Sequence, residues 1–253
     1  MLKGRKVLLT RAADQQKELA EKIQYKGGIP IGLPMIELKM RQALNELHMA
    51  FNQFEKYDWL IFTSVNSVKF FFKAAEDFGL KLYFYPNLKI ATVGEKTKLV
   101  LEQLGYRTNF VPIEFTAAVL AANMDENIAG KNILLPRSAK AADDYLKVFD
   151  ERSALVDAIP LYDNFELMHP KDHFLQTMGN GLDYLTFMSG SAVRAFVKNM
   201  QAYDYRLKNE SVVCIGPSTA KVATTLGLKV DLIARPYTIE GMIEGMNKIK
   251  AYV

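Results

Sequence analysis

The chain has 253 residues, of which 49% are hydrophobic and 24% are charged, so its composition is that of an ordinary globular protein. The formal net charge of +4 is a mild excess without a long block of Lys or Arg, which argues against nucleic acid as a partner and favours a small anionic molecule. No apolar stretch approaches the roughly 18 residues that a membrane span requires.

The chain opens with a predicted strand at residues 7–9. Basic residues precede this very short apolar run, and Arg11 and Asp14 follow it at once. A signal peptide needs an apolar region of at least about seven residues. We therefore expect no signal peptide and a cytoplasmic location.

Short apolar, β-branched runs alternate with segments of helical periodicity along the rest of the chain. The helical segments 67–78, 99–104 and 222–226 each end at a glycine, a common residue just after a helix C-terminus. This alternation predicts parallel sheets with helices on both faces, arranged here as two small doubly wound α/β domains. The predicted strands are residues 7–9, 59–62, 90–93, 133–135, 185–187 and 212–215.

The sequence contains an internal repeat. Residues 4–11 match residues 130–137, so that Arg11 corresponds to Arg137. Residues 58–64 match residues 183–189 in the same way, and residues 93–97 match residues 215–219. Because three pairs occur in the same order along the chain, the two halves are predicted to share a fold.

Two apolar segments that contain proline lie at matching points of the repeat, with Pro34 opposite Pro160. Such a pair predicts a two-stranded hinge near residues 33–39 and 158–165. Residues 39–160 would then form one domain, and residues 1–35 would join residues 164–253 in the other. The simpler alternative is a division into two sequential halves near residue 128.

Common catalytic and metal-binding motifs are absent from the sequence. There is no G-x-G-x-x-G, Walker loop, H-E-x-x-H or G-x-S-x-G pattern. His169 and His173 flank Pro170, which disfavours a helical pair of metal ligands, so no metal site is predicted; His48 stands alone. The single cysteine, Cys214, lies in an apolar run and is expected to be a small buried hydrophobe rather than a nucleophile.

Polar residues recur where a predicted strand meets the following helix. In parallel sheets these junctions lie at the carboxyl ends of the strands, where ligands bind. Helix starts also present unpaired N–H groups and partial positive charge, which suit carboxylates and phosphates. We expect six junctions, three from each domain, to line one cleft between the domains and bind a ligand with several negative groups. For each residue the alternative is plain helix capping. The candidates are Thr10, Arg11, Ser64, Asn66, Gly94, Thr97, Arg137, Ser138, Ser189, Ser191, Gly216, Ser218 and Thr219.

Three of the candidate side chains carry more specific chemistry than the rest. Arg11 and Arg137 follow a strand directly, where a guanidinium could pair with a ligand carboxylate; the alternative is a surface salt bridge. Tyr162 lies in the predicted hinge, and its counterpart in the repeat is Ile36, so the shared fold does not require its hydroxyl. Whether Tyr162 packs or acts chemically stays open at this point.

The ordered set of segments resembles the uroporphyrinogen-III synthase family. The resemblance spans nearly the whole chain, and it implies two Rossmann-like or flavodoxin-like α/β domains joined by a two-stranded linker. It also implies a lyase of heme biosynthesis that needs no metal or organic cofactor. Such an enzyme cyclises hydroxymethylbilane to uroporphyrinogen III with loss of water and inversion of ring D. The matching segments are residues 8–11, 33–36, 62–64, 93–97, 160–162, 187–189 and 215–220.

The resemblance also implies residue roles and partners. Tyr162 matches the tyrosine that assists departure of the substrate hydroxyl as a general acid, and its unperturbed pKa near 10 would keep it protonated at neutral pH. Thr97 and Thr219 match threonines of the family's glycine-threonine loops. We expect a monomer without nucleic-acid or membrane partners, and the resemblance allows a transient contact with hydroxymethylbilane synthase.

The chain departs from the family pattern at three positions. Met188 stands where threonine is usual, Lys98 where alanine is frequent, and Ala12 where proline is common. These departures affect local contacts rather than the overall assignment.

Two other functions stay open from the residues alone. A bilobal protein that binds small anions without catalysis would also have two α/β lobes, although most such proteins are exported. A nucleotide-sugar glycosyltransferase would need a longer chain and a charged cluster for diphosphate. Formation of the type III isomer from hydroxymethylbilane discriminates the synthase from both.

Overall fold

The structure is a computed structural model of the chain, and it describes residues 1–42, 44–114, 116–124 and 127–249. Residues 250–253, which belong to the predicted first domain, lie outside the described residues. The chain forms two compact units, one of residues 1–38 and 165–253 and the other of residues 39–164. The described residues form two five-stranded sheets; one lies in the first unit, and the other lies mainly in the second.

Strands and helices alternate along most of the chain. The strands are β1 Lys6–Leu9, β2 Ile29–Gly32, β3 Ile36–Met40, β4 Trp59–Phe62, β5 Lys89–Thr92, β6 Asn132–Ser138, β7 Leu155–Glu166, β8 Tyr184–Phe187, β9 Ser211–Cys214 and β10 Val230–Ile233. The α-helices are α1 Lys17–Tyr25, α2 Asn45–Asn52, α3 Val65–Phe78, α4 Glu95–Gln103, α5 Ala117–Asn123, α6 Asp144–Glu151, α7 Lys171–Met178, α8 Gly190–Ala202, α9 Pro217–Thr225 and α10 Ile239–Lys248.

The sheet of the first unit has the strand order β10-β9-β8-β1-β2, and its neighbouring strands are parallel. Successive residues of β1 face opposite sides of this sheet. Leu8 packs in one hydrophobic cluster with residues of α7, α8 and α9, whereas Val7 and Leu9 pack in another with residues of α1 and α10. Both faces are therefore covered by helices, as continuous apolar strands of a parallel sheet require.

The sheet of the second unit has the strand order β3-β7-β6-β4-β5. Ile61 packs on one face with residues of α5 and α6. Phe62 packs on the other face, where its ring centroid lies 5.4 Å from that of Phe71 in α3. The side chains of Ile61 and Phe62 are both fully buried. Each contributes about 1.5–3 kcal/mol of hydrophobic stabilisation.

The two sheets repeat the same strand order in the way that the sequence repeat predicts. Under the repeat, β9, β8 and β1 correspond to β5, β4 and β6, and these strands are consecutive neighbours in both sheets. Even β10 has a counterpart, since Phe110 forms a parallel bridge with Ala91 of β5. The predicted duplication is confirmed at the level of topology.

The strand β3 is the exception to the parallel arrangement. The amide of Arg41 donates to the carbonyl of Leu161 (2.9 Å), and the amide of Leu167 donates to the carbonyl of Met35 (2.9 Å). Partner numbers that rise on one strand and fall on the other define an antiparallel pair. The predicted doubly wound α/β class is confirmed, with the correction that the sheet of the second unit is mixed at this edge.

Candidate functional site

In the second unit, the carboxyl ends of β4 and β6 and the carboxyl-terminal half of β7 bring three predicted residues close together. Ser138 is the register partner of Tyr162 on the neighbouring strand. Ser64 follows β4, and its Oγ lies 3.2 Å from the Tyr162 Oη. This convergence follows from the parallel order of the strands, which places their carboxyl ends at one edge of the sheet.

A capping box fixes the position of Ser64. The Ser67 amide donates to the Ser64 Oγ (3.1 Å), and the Ser64 amide donates to the Ser67 Oγ (3.2 Å). Such reciprocal bonds begin a helix and satisfy two backbone N–H groups. The cap therefore defines both the start of α3 and the location of the hydroxyl that contacts Tyr162.

Tyr162 is a buried tyrosine whose hydroxyl is held by polar neighbours. Its ring stacks on Phe70 of α3 with centroids 4.7 Å apart and an interplanar angle of 21°. Burial raises the pKa of Tyr162 above its ordinary value, although hydrogen bonds with Ser64 and Asn66 act in the opposite direction. At neutral pH the phenol is protonated and can donate a proton.

Arg137 is directed into its own unit. The side chain is buried, with Nη2 donating to the carbonyl of Ala141 (2.9 Å) and to Asp143, and Nη1 lying 3.4 Å from the Tyr145 Oη. Burial is the largest single influence and lowers the pKa of Arg137, but the interactions with Asp143 and Tyr145 together outweigh burial, so the pKa is raised. The guanidinium thus organises the segment between β6 and α6.

Thr97 and Gly94 lie at the start of α4. Gly94 is the N-cap, and Thr97 is buried three residues later, where its amide donates to the Gly94 carbonyl (3.0 Å). The exposed residues of this helix start are Glu95 and Lys96, whereas the threonine side chain is buried.

In the first unit, α8 and α9 begin at predicted residues. The Ser189 Oγ accepts from the Ala192 amide (3.3 Å) and lies 3.1 Å from the Ser191 Oγ. Gly216 is the N-cap of α9 and Pro217 takes its first turn, a position that proline favours. At the start of α9, Ser218 is exposed and Thr219 is buried.

Thr10 and Arg11 differ in how much of each side chain a ligand could reach. Thr10 is fully buried, and its hydroxyl donates to the Thr186 carbonyl (2.6 Å), so it joins β1 to β8. Arg11 is half-buried and donates to the Gln15 side chain (3.0 Å). Burial lowers the pKa of Arg11, while Glu18 and Asp14 oppose the change.

Sequence reasoning missed two features at these edges. Tyr237 lies beside Gly216, with its ring 3.8 Å from where a Cβ on that glycine would stand. Thr238 begins α10 with its Oγ1 accepting from the Gly241 amide (3.1 Å), which makes one more polar strand-to-helix junction. In the sequence, Tyr237 and Thr238 directly before an apolar helical segment could have indicated this helix start.

Other features that could carry chemistry are the cysteine, groups of metal-ligating side chains and a cavity. Cys214 is buried, and burial raises the pKa of its thiol to about 11. Within the described residues, no group of three or more His, Cys, Asp or Glu side chains could hold a metal ion. None of the helices in the same part of the chain is long and apolar enough to cross a membrane. A cavity of about 550 Å³ lies between α2 and the amino-terminal half of β7, away from Tyr162.

Comparison with known families decides the assignment. The family model described as "Uroporphyrinogen-III synthase HemD" matches residues 17–244. The chain belongs to the uroporphyrinogen-III synthase family. Membership confirms the resemblance found in the sequence and places the chain in a family of cyclising lyases of tetrapyrrole biosynthesis.

Curated members of the synthase family align along most of the chain. The porphyrin biosynthesis protein HemD of Ruminiclostridium josui is 30% identical over 248 residues, which are 97% of this chain and 49% of that protein. The chain thus spans about half the length of that relative. The uroporphyrinogen-III synthase of Synechococcus elongatus is 27% identical over 249 residues, which are 95% of this chain and 93% of that protein.

Solved structures of two synthases share the fold. A mutant uroporphyrinogen III synthase of Thermus thermophilus matches with a TM-score of 0.64 at 15% identity, covering 97% of this chain and 98% of that one. The uroporphyrinogen-III synthetase of Helicobacter pylori matches with a TM-score of 0.61 at 18% identity, covering 95% and 97%. At these identities the likeness supports the fold alone.

Proposed function

We propose that the chain converts hydroxymethylbilane into uroporphyrinogen III, with loss of water and inversion of ring D. The observation that carries this proposal is the buried, protonated Tyr162 beside Ser64, next to the carboxyl ends of the parallel strands β4 and β6. Membership of the synthase family supplies the reaction class.

In the proposed mechanism Tyr162 is the general acid. Its proton goes to the hydroxyl of the substrate's terminal hydroxymethyl group as the C–O bond breaks, so that water leaves and a reactive carbon remains. Inversion of ring D then requires that its substituted pyrrole carbon, already bonded to the methylene that joins it to the rest of the chain, bonds to this reactive carbon. The older bond to the methylene breaks, the released methylene carbon bonds to the free carbon of ring D and closes the ring, and the proton lost from that free carbon restores the phenol. Hydrogen bonds from Ser64 and Asn66 stabilise the phenolate in between. General acid catalysis of this kind contributes about 10²–10⁴-fold.

The proposed carboxylate contacts are helix starts at the sheet edges. In the second unit these are the starts of α3 and α4, and in the first unit those of α8 and α9. First-turn N–H groups and partial positive charge favour carboxylates there. Thr10, Thr97 and Thr219 are buried and would support the backbone rather than touch the ligand. The proposed contact residues are Arg11, Ser64, Asn66, Gly94, Ser138, Ser189, Ser191, Gly216 and Ser218.

The experiment is incubation of the full chain with hydroxymethylbilane, followed by separation of the isomers. Spontaneous closure gives the type I isomer, so the proposal expects an excess of type III that grows with enzyme concentration. Heat-denatured protein provides the matched blank. Formation of type I alone, at the rate of the blank, would remove catalysis and leave the non-catalytic binding function.

We further infer a cytoplasmic monomer whose two compact units are independent domains, close to the predicted ranges 39–160 and 1–35 with 164–253. The separate sheet and core of each unit support this inference. Sedimentation at rising protein concentration tests whether the chain is a monomer. A monomer gives one species of 28.6 kDa at every concentration. A mass that increases with concentration would contradict it. Sedimentation of a mixture with hydroxymethylbilane synthase would reveal a transient complex.

A further inference from the structure

Arg137 holds one short segment of backbone in place, residues 138–143 between β6 and α6. Its Nη2 donates to the Ala141 carbonyl (2.9 Å) and to Asp143, and its Nη1 lies 3.5 Å from the Ala142 carbonyl. A planar guanidinium with several donors in a fixed arrangement suits such a task better than an ammonium group. The segment therefore depends on a buried cation.

The same segment is bonded to the strand that carries Tyr162. The amide of Ala139 donates to the Tyr162 carbonyl (2.9 Å), and the Lys140 Nζ donates to the Asn164 carbonyl (2.7 Å). The pairing of β6 with β7 shifts register between Arg137 and Ser138, immediately before these bonds. The carbonyls of Tyr162 and of Asn164, two residues later, thus both accept hydrogen bonds from the segment that Arg137 organises.

A second connection runs through Tyr145 in α6. The Arg137 Nη1 lies 3.4 Å from the Tyr145 hydroxyl, and the guanidinium carbon lies 6.0 Å from the centre of that ring. Tyr145 is buried, and the pKa of Tyr162, which its own burial raises, is raised slightly further by Tyr145. Removal of the guanidinium would leave the Tyr145 hydroxyl without this partner.

We propose that Arg137 is a positioning residue that fixes Tyr162 through residues 138–143, and that it does not bind a substrate carboxylate. The inference rests on the proposed function, because Arg137 is inferred to position Tyr162, the proton donor of that reaction. It replaces the sequence-based expectation that the guanidinium pairs with the ligand. The geometry leaves Nε as the one guanidinium nitrogen without a partner, and Nε is buried.

A matched control exists in the same unit. The Arg152 Nη1 donates to the carbonyl of Ala121 (2.7 Å), and its Nη2 donates to that of Met124 (3.0 Å), so it too holds a short segment through backbone oxygens. No described bond links that segment to β7 at Tyr162. Arg152→Met and Arg137→Met therefore remove comparable bonds with different expected consequences.

The experiment measures kcat, KM and the affinity for uroporphyrinogen III in both variants, corrected for folded fraction. Arg137→Met is expected to lower kcat by about tenfold or more, since misplacement of a catalytic group by 1 Å can cost about 100-fold. Its KM and product affinity should stay unchanged. Arg152→Met should keep the kcat of the parent. In a Tyr162→Phe background, Arg137→Met should cost less than about twofold further, because residues that act as a unit are not additive.

Other results would overturn the inference while the proposed function stands. One is an equal kcat for Arg137→Met and Arg152→Met, and another is a raised KM or weakened product affinity, which would mean direct ligand contact. If Arg137→Met does not fold, Asp143→Asn serves instead, because the Asp143 side chain is 76% exposed. It should lower kcat without raising KM. If the parent enzyme makes only the type I isomer, the proposed function itself is contradicted.

Discussion

The two units share a strand order but differ at the carboxyl ends of their sheets. Arg11 and Arg137 occupy the same position in the repeat, yet Arg11 is half-buried beside a neutral Gln15, whereas Arg137 is buried in a network with Asp143. Ile36 likewise stands where the second unit has Tyr162. Duplication has preserved the cores, and the chemistry differs within β7 and in the segments that follow the strands.

The largest expected effect tests the equivalence of the two cores. Phe62 and Phe187 are repeat counterparts, and both are fully buried. Phe62→Ala and Phe187→Ala should each lower the free energy of unfolding by about 3–5 kcal/mol, because each leaves a cavity. Scanning calorimetry is the measurement. If the units are independent domains, each variant moves a different transition; one shared transition that both variants move equally would contradict that division.

The second prediction tests the functional difference between the units. Tyr162→Phe should lower kcat by about 10²–10⁴-fold with little change in KM, because it removes only the proton donor. The control is Tyr184→Phe, which removes a buried hydroxyl of the first unit that donates to the Met246 carbonyl (3.0 Å). Tyr184→Phe should cost stability but not turnover. Unchanged turnover in Tyr162→Phe would remove this residue from the mechanism.

The third prediction compares two helix caps. Ser64→Ala and Ser189→Ala should each reduce the free energy of unfolding by about 0.5–2 kcal/mol, because each removes an acceptor at a helix start. Ser64→Ala should in addition lower kcat, since Ser64 contacts the Tyr162 hydroxyl. Urea unfolding and steady-state rates provide the two measurements. A loss of kcat at Ser189 equal to that at Ser64 would contradict the difference between the edges.

The smallest expected effect is the pH dependence of Tyr162. Burial raises the folded-state pKa of Tyr162 above the ordinary value of 10.0. The phenol is therefore protonated at pH 7–8, where it contributes no change in stability, and it keeps its proton to higher pH than an ordinary tyrosine does. Above pH 10 the unfolded chain ionises more readily, so the Tyr162 contribution to stability falls. The measurement is kcat as a function of pH. A fall in kcat as the pH rises towards 9, present in the parent and absent in Tyr162→Phe, would mean that the phenol ionises below its ordinary pKa and would contradict the prediction.

Much of the architecture could be predicted because parallel strands buried on both faces have a plain sequence signature. The predicted strand at residues 133–135 lies within β6, which extends three residues further, and the predicted helix at residues 67–78 lies within α3. The antiparallel β3 could not be foreseen, since the apolar pattern around Pro34 contains no information on strand direction.

The candidate site was harder to predict than the fold. Ser64 and Thr10 both follow strands and look alike in sequence, yet Thr10 is fully buried and bonds across to β8. Ser64 is only partly buried and caps α3. The orientation of Arg137 depends on Asp143 and Tyr145, which meet it only when residues 138–143 take their folded path. Such contacts depend on tertiary structure, which local sequence patterns do not encode.

The central claim is that tetrapyrrole carboxylates bind at the carboxyl ends of the strands, beside Tyr162 in the second unit. Titration of ¹⁵N-labelled protein with uroporphyrinogen III, followed by amide chemical shifts, tests it most directly. The account predicts the largest shifts at residues 64–67, 94–97, 189–192 and 216–219. Shifts concentrated instead at the cavity beside α2, around Lys56, Tyr57 and Asp157, would contradict it.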